Sequence, residues 1–130
     1  MRTLARRNLV ASFALALALV GCGERTGRSR IAHPGRPVRS ADGEWTADLL
    51  DTGGDFHPTI RDATGKEVWR DDLTHSRRYM PGVAWESEAP VLWVLSSDHG
   101  NASVRRDASG RWVKTMGSDG MPTEISDLAG

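Results

Sequence analysis

Four histidines, a short run of serine and acid, and a single thiol are the side chains of this sequence whose types could carry chemistry. His57 stands two residues after Asp55, His99 directly follows Asp98, and His75 falls in the stretch from Asp72 to Gly82. If the loops that bear them converge, imidazole and carboxylate together suit a metal such as zinc, or a small polar ligand. Solitary histidines beside aspartates equally suit solvated turns, and no familiar ligand spacing decides between the two. Ser96-Ser97-Asp98-His99 holds the residue types of a hydrolytic triad. Neighbours on a strand point to opposite faces, however, so the run reads as a strand end followed by a turn. The sequence contains no nucleophile elbow, phosphate loop, paired-cysteine site or His-Glu-x-x-His helix. The expectation is a protein without a catalytic site, cofactor or resident metal. Arg77, Arg78 and Tyr79 occupy the longest irregular stretch, and their types are favoured in binding patches, although a solvated loop fits them too.

The thiol belongs to a different kind of chemistry. Arg2, Arg6 and Arg7 precede an apolar run from Leu9 to Val20, which is the layout of a secretory signal. About a dozen apolar residues at ~1.5 Å rise are too few for ~30 Å of hydrocarbon, so a leader fits better than a permanent span. The run ends in Leu19-Val20-Gly21-Cys22, which resembles the lipobox of bacterial lipoproteins. That resemblance implies diacylglycerol on the Cys22 sulfur, cleavage before it, and residence on the extracytoplasmic face of the cell membrane. Each buried CH2 contributes ~0.8 kcal/mol, so two or three chains hold far better than one. With Cys22 acylated no thiol remains, and stability has to come from packing. Arg6-Arg7-Asn8-Leu9-Val10 resembles the twin-arginine export motif, and general secretion stays open beside it.

Charge divides the chain in the same places. The formal net charge is zero, but residues 23–39 carry five arginines against Glu24, and residues 40–130 carry nine Lys or Arg against sixteen Asp or Glu. A basic segment therefore leads into an acidic one. The acidic part disfavours nucleic acid, whose phosphates it would repel. Residues 22–37, rich in Gly, Ser, Thr, Arg and Pro, read as a flexible spacer unable to pack. Its arginines either attract anionic headgroups or simply keep the linker soluble.

What remains, residues 38–130, has room for one core. Residues 37–70 set against 82–115, an offset of 45, match at seven of thirty-four positions, among them Arg61 with Arg106, Asp62 with Asp107, and Gly65 with Gly110. Apolar residues lack the three-to-four spacing of a long helix, so helix is disfavoured throughout. Strands are expected near Val38, over 45–51, 57–61 and 66–71, and again over 83–85, 91–97, 102–106 and 111–115. Asp62-Ala63-Thr64-Gly65 and Asp107-Ala108-Ser109-Gly110 have type I turn chemistry and predict two hairpins. The tail from Gly117 is expected to fray or to add an edge strand near Glu124 and Ile125.

Four strands in about 45 residues is the length of a β-propeller blade. Ser40-Ala41-Asp42-Gly43-Glu44-Trp45 resembles the turn of Tol-type propeller repeats, and Val83-Ala84-Trp85-Glu86-Ser87 resembles the apolar entry to such a turn. Ala41 departs from the usual proline there, and the second unit lacks the Asp-Gly turn. Two units cannot close a ring that takes at least four. The expected fold is all-β, a small antiparallel sheet or sandwich of two four-stranded blade-like units, with the five tryptophans in its core. Closure of a ring by several chains, or a plain meander, are the alternatives. The expected function is a membrane-anchored binding module of the bacterial envelope with a protein or cell-envelope partner. The alternative is a metal- or ligand-binding receptor using His57, His75 and His99.

Overall fold

The computed structural model describes residues 30–129. Among these, β1 (Val38–Arg39), β2 (Thr46–Asp51), β3 (Asp55–Arg61), β4 (Glu67–Arg70) and β5 (His75–Ser76) form one sheet. β6 (Gly82–Trp85), β7 (Leu92–Leu95), β8 (Ala102–Arg106) and β9 (Trp112–Met116) form the other. Both are antiparallel meanders in chain order, β1-β2-β3-β4 and β6-β7-β8-β9, with β5 pairing onto β3 at Phe56↔His75. The all-β expectation holds, and the eight anticipated strands are all present. The ninth, β5, lies in the stretch expected to be irregular.

Alternation explains how the sheets meet. Cross-strand partners share a face, so Ala47 with Ile60 and Leu49 with Pro58 turn one side of the first sheet inward. Val83 with Val94 and Trp85 with Leu92 do the same for the second. Ala47, Leu49, Phe56, Ile60, Val83, Trp85, Leu92, Val94 and Val104 form a single core cluster drawn from both sheets, which is the two-layer packing of a sandwich. Trp45, Trp85 and Trp112 meet edge to face at its rim, with centroids 5.1 Å apart for Trp45 and Trp112 and 6.0 Å for Trp85 and Trp112. The Arg106 guanidinium lies over the Trp45 ring.

The two Asp-to-Gly turns repeat atom for atom. Asp62 Oδ1 accepts from the amides of Thr64 and Lys66 at 2.9 and 3.0 Å, and Asp107 Oδ1 accepts from Ser109 and Arg111 at the same distances. Gly65 and Gly110 exit with φ of 89° and 88°, which a side chain would resist. The register Arg61↔Glu67 becomes Arg106↔Trp112, the same offset of 45.

Two expectations need correction. Residues 123–129 are neither frayed nor a strand but a helix, α1 (Thr123–Ala129). Ile125 and Leu128, three apart on α1, join Met121 just before the helix in covering Ala84, Val91 and Trp93 on the outer side of the second sheet. The other concerns the spacer, which was expected to reach residue 37 unpacked. Residues 30–32 instead lie against the domain, and 33–37 remain exposed. Ala32 is fully buried and donates its amide to the Val83 carbonyl at 2.8 Å. Arg30 bonds the Trp85 carbonyl at 2.8 Å and pairs with Glu124 of α1 at 2.7 Å. Alanine and arginine are tolerated in linkers, so composition hides a strand-like contact supplied by a distant partner. Residues 1–29, with the leader, Leu19, Val20, Gly21 and Cys22, lie outside the described residues.

Candidate functional site

Two of the four histidines, His75 and His99, converge, while His57 reaches only the backbone carbonyl of Asp71. Asp71 leaves β4 with its amide bonded to the Pro58 carbonyl at 2.8 Å, which continues the strand's register and turns the carboxylate toward the interior. There it is almost wholly buried, yet amply partnered. Lys114 of β9 donates to Oδ1 at 2.7 Å, the Leu73 amide donates to the same atom at 3.1 Å, and His75 Nε2 lies 3.4 Å from Oδ2. Lys114 shares the inward side of its sheet with Val104, its cross-strand partner, so the ion pair spans the two layers.

The histidines differ in surroundings. His75 is buried with a side-chain exposure of 1%, and pairing of β5 with β3 holds it there. His99 sits in the turn after β7, a third exposed, with its ring 5.0 Å from that of His75 and nearly perpendicular to it. Its Nε2 lies 3.1 Å from the Thr74 carbonyl and 3.6 Å from Asp98 Oδ2. His57 is half-buried on β3, with Nδ1 3.4 Å from the Asp71 carbonyl. Asp55 is exposed at the start of β3 and takes no part in the cluster. Ser96 to His99 form the strand end and turn expected of them, with Ser96 Oγ accepting from the His99 amide at 3.0 Å.

Electrostatics follow from burial and bonding. Burial pushes the Asp71 carboxyl up, but the bonds from Lys114, Leu73 and His75 outweigh it and hold the group below the usual carboxylate range. Burial pushes the His75 imidazole down, and the pull of Asp71 only partly offsets that, so His75 is neutral at pH 7. A neutral imidazole beside a carboxylate places its proton on the nitrogen facing the oxygen. The remaining nitrogen, His75 Nδ1, is the one buried side-chain polar atom among the described residues without a hydrogen-bond partner. Among those residues no group of three or more His, Asp or Glu is arranged to hold a metal ion.

Arg77, Arg78 and Tyr79 do not join this cluster and lie on the exposed surface of the same connection. Arg77 lies over the buried Phe56 ring at 5.3 Å, and Arg78 over the Tyr79 ring at 5.5 Å. Sequence reasoning picked out the three histidines but missed Asp71 and Lys114. An aspartate beside Asp72 and a lysine on an edge strand look like ordinary surface residues until the two sheets are stacked.

At the other end of the sandwich, a cleft of about 630 Å³ is lined by Arg30, Arg39, Ser40, Trp85, Ser87 and Glu124. Glu124 accepts from the Ser87 amide and hydroxyl at 3.1 and 2.9 Å as well as from Arg30, closing the turn between β6 and β7 against α1. No helix among the described residues is long and apolar enough to cross a membrane. Comparison with protein-family models, with curated proteins and with solved structures finds no match to this chain.

Proposed function

We propose that this chain is a lipoprotein of the bacterial envelope, held on the extracytoplasmic face of the membrane by lipid on Cys22, whose β domain is a non-catalytic binding module for a protein or cell-envelope partner. The sequence Leu19-Val20-Gly21-Cys22 supports the anchor, and the acidic balance of residues 40–130 disfavours nucleic acid as the partner. The blade-like likeness of the two meanders supports a scaffold whose loops make contacts.

One observation carries the reading, and it is the polarity of the domain. Arg30 enters where β6 ends, bonded to the Trp85 carbonyl, whereas the connection 71–81 feeds the beginning of β6 at Gly82. Anchor side and contact loop are therefore at opposite ends. From Cys22 to Arg30 the chain can span at most about 28 Å, a reach that favours the Arg30 end toward the bilayer and Arg77, Arg78 and Tyr79 away from it. Tyr79, 41% exposed, is one of the few large apolar side chains left open to solvent, and arginine and tyrosine supply many interface hot spots.

Fractionation of cells expressing the wild type and Cys22→Ala tests the anchor. The wild type belongs with the membranes and Cys22→Ala does not acquire lipid. An equal distribution of the two overturns the proposal. For the contact loop, cross-linking from position 78 should yield a defined adduct that Tyr79→Ala abolishes.

A further inference from the structure

We propose that His75 and His99 form a two-nitrogen site for a divalent transition metal ion of the copper and zinc class. The inference is independent of where the chain resides. It begins with His75 Nδ1, an acceptor shut away from solvent and given nothing to accept from. A buried acceptor with nothing to accept from is costly, so a group that occupies it is favoured. The opposite nitrogen faces Asp71 Oδ2, and metal-binding imidazoles almost always donate their other N–H to a carboxylate or carbonyl, which fixes the ring and strengthens it as a ligand.

His99 repeats the pattern. Its Nε2 faces the Thr74 carbonyl at 3.1 Å, which places the proton there and leaves Nδ1 with a free lone pair. Both rings are thus oriented from behind by an oxygen through Nε2, which leaves Nδ1 of each for a ligand, and their centroids are 5.0 Å apart. His57 is left out because its Nδ1 faces the Asp71 carbonyl. Imidazole nitrogen selects copper, zinc or nickel over magnesium and calcium, which prefer oxygen. Two protein donors leave the other positions to water, and His99, a third exposed, gives the ion its way in.

Titration of the full chain carrying Cys22→Ser with Cu2+ and with Zn2+, followed by calorimetry and by electron paramagnetic resonance of the copper form, tests this directly. The serine removes the competing thiol. One saturable ion per chain is expected, with hyperfine structure from two imidazole nitrogens and no uptake of Mg2+ or Ca2+. Even the oxygen behind a metal-bound imidazole is worth 10–100-fold in affinity, so His99→Ala, which deletes a ligand, should weaken binding by about tenfold or more. His99 is exposed, and circular dichroism verifies that this variant keeps its fold, so the test does not depend on replacing buried His75. His33→Ala, at a separate exposed histidine, should leave affinity within about twofold, well under the tenfold that 1.4 kcal/mol represents. Absence of saturable binding, a one-nitrogen signal, or affinity unchanged in His99→Ala overturns the proposal, as does loss of binding in His33→Ala.

Discussion

Lys114 Nζ lies 2.7 Å from Asp71 Oδ1, joining the edge strand of one sheet to the buried residue that follows β4 in the other. The carboxylate is 1% exposed and the ammonium 15%, so solvent screens the pair little. Such a pair adds little over a well-packed apolar substitute, but breaking it leaves a charge stranded. Lys114→Met should therefore cost about 3–5 kcal/mol in urea unfolding. Adding Asp71→Leu should recover a large part of the loss. A double variant no more stable than the single one contradicts this account.

Acid should loosen the same region in two stages. His75 is held below its ordinary value by burial, so between that lowered value and about pH 6.5 the unfolded chain binds a proton the folded one refuses. Its contribution to stability is whole above about pH 6.5 and declines as the pH falls beneath it. Asp71, also held low, keeps its contribution above 3.8 and loses it further down. Around His75 stand Asp71, Lys114 and His99, contributed by the connection, by β9 and by the turn after β7. The melting temperature should fall between pH 7 and pH 5.5, and His75→Gln should flatten that segment while sparing the lower one. A curve already flat over that interval in the wild type contradicts the assignment.

Ile125 sits fully buried on α1 and belongs to the cluster that covers Trp93. Ile125→Ala removes three carbons and leaves a cavity, so about 2–4 kcal/mol of stability should go. Trp93 would sense it first. Its indole nitrogen donates to Glu86 Oε2 at 2.8 Å and its ring is closed off from water, so a red shift of tryptophan emission is expected before unfolding. No shift on deletion of residues 123–130 contradicts the cap.

Hydrogen exchange distinguishes a packed segment from a spacer at Ala32. The amide is bonded to the Val83 carbonyl at 2.8 Å, so it should exchange far more slowly than a free peptide. Arg30→Ala, which removes the ion pair to Glu124, should speed it. Free-peptide exchange at Ala32 in the wild type returns the domain boundary to residue 38.

What the sequence reveals here is what neighbouring residues decide among themselves. The turns at Asp62 and Asp107 are legible because acceptor, donors and glycine lie within five residues, and they carry the repeat with them. Ala47 and Leu49 betray their strand by alternation. Asp71 with Lys114 is a contact across 43 residues between two sheets, and nothing local marks either member. Ile125 escapes for a related reason, since three spaced apolar residues among acids and serines look like a tail until Trp93 presents a surface for them. His57, His75 and His99 stand between these cases. Their types announce chemistry, but the meeting of His75 with His99 depends on β5 folding onto β3, and His57 on the other face of β3 stays apart.

The anchor proposed on Cys22 would govern where everything else operates, and mass spectrometry of the mature protein isolated from membranes addresses it most directly. The account predicts a chain that begins at Cys22 and carries a diacylglycerol thioether on its sulfur. A mature chain that begins elsewhere, or a free thiol at position 22, contradicts it.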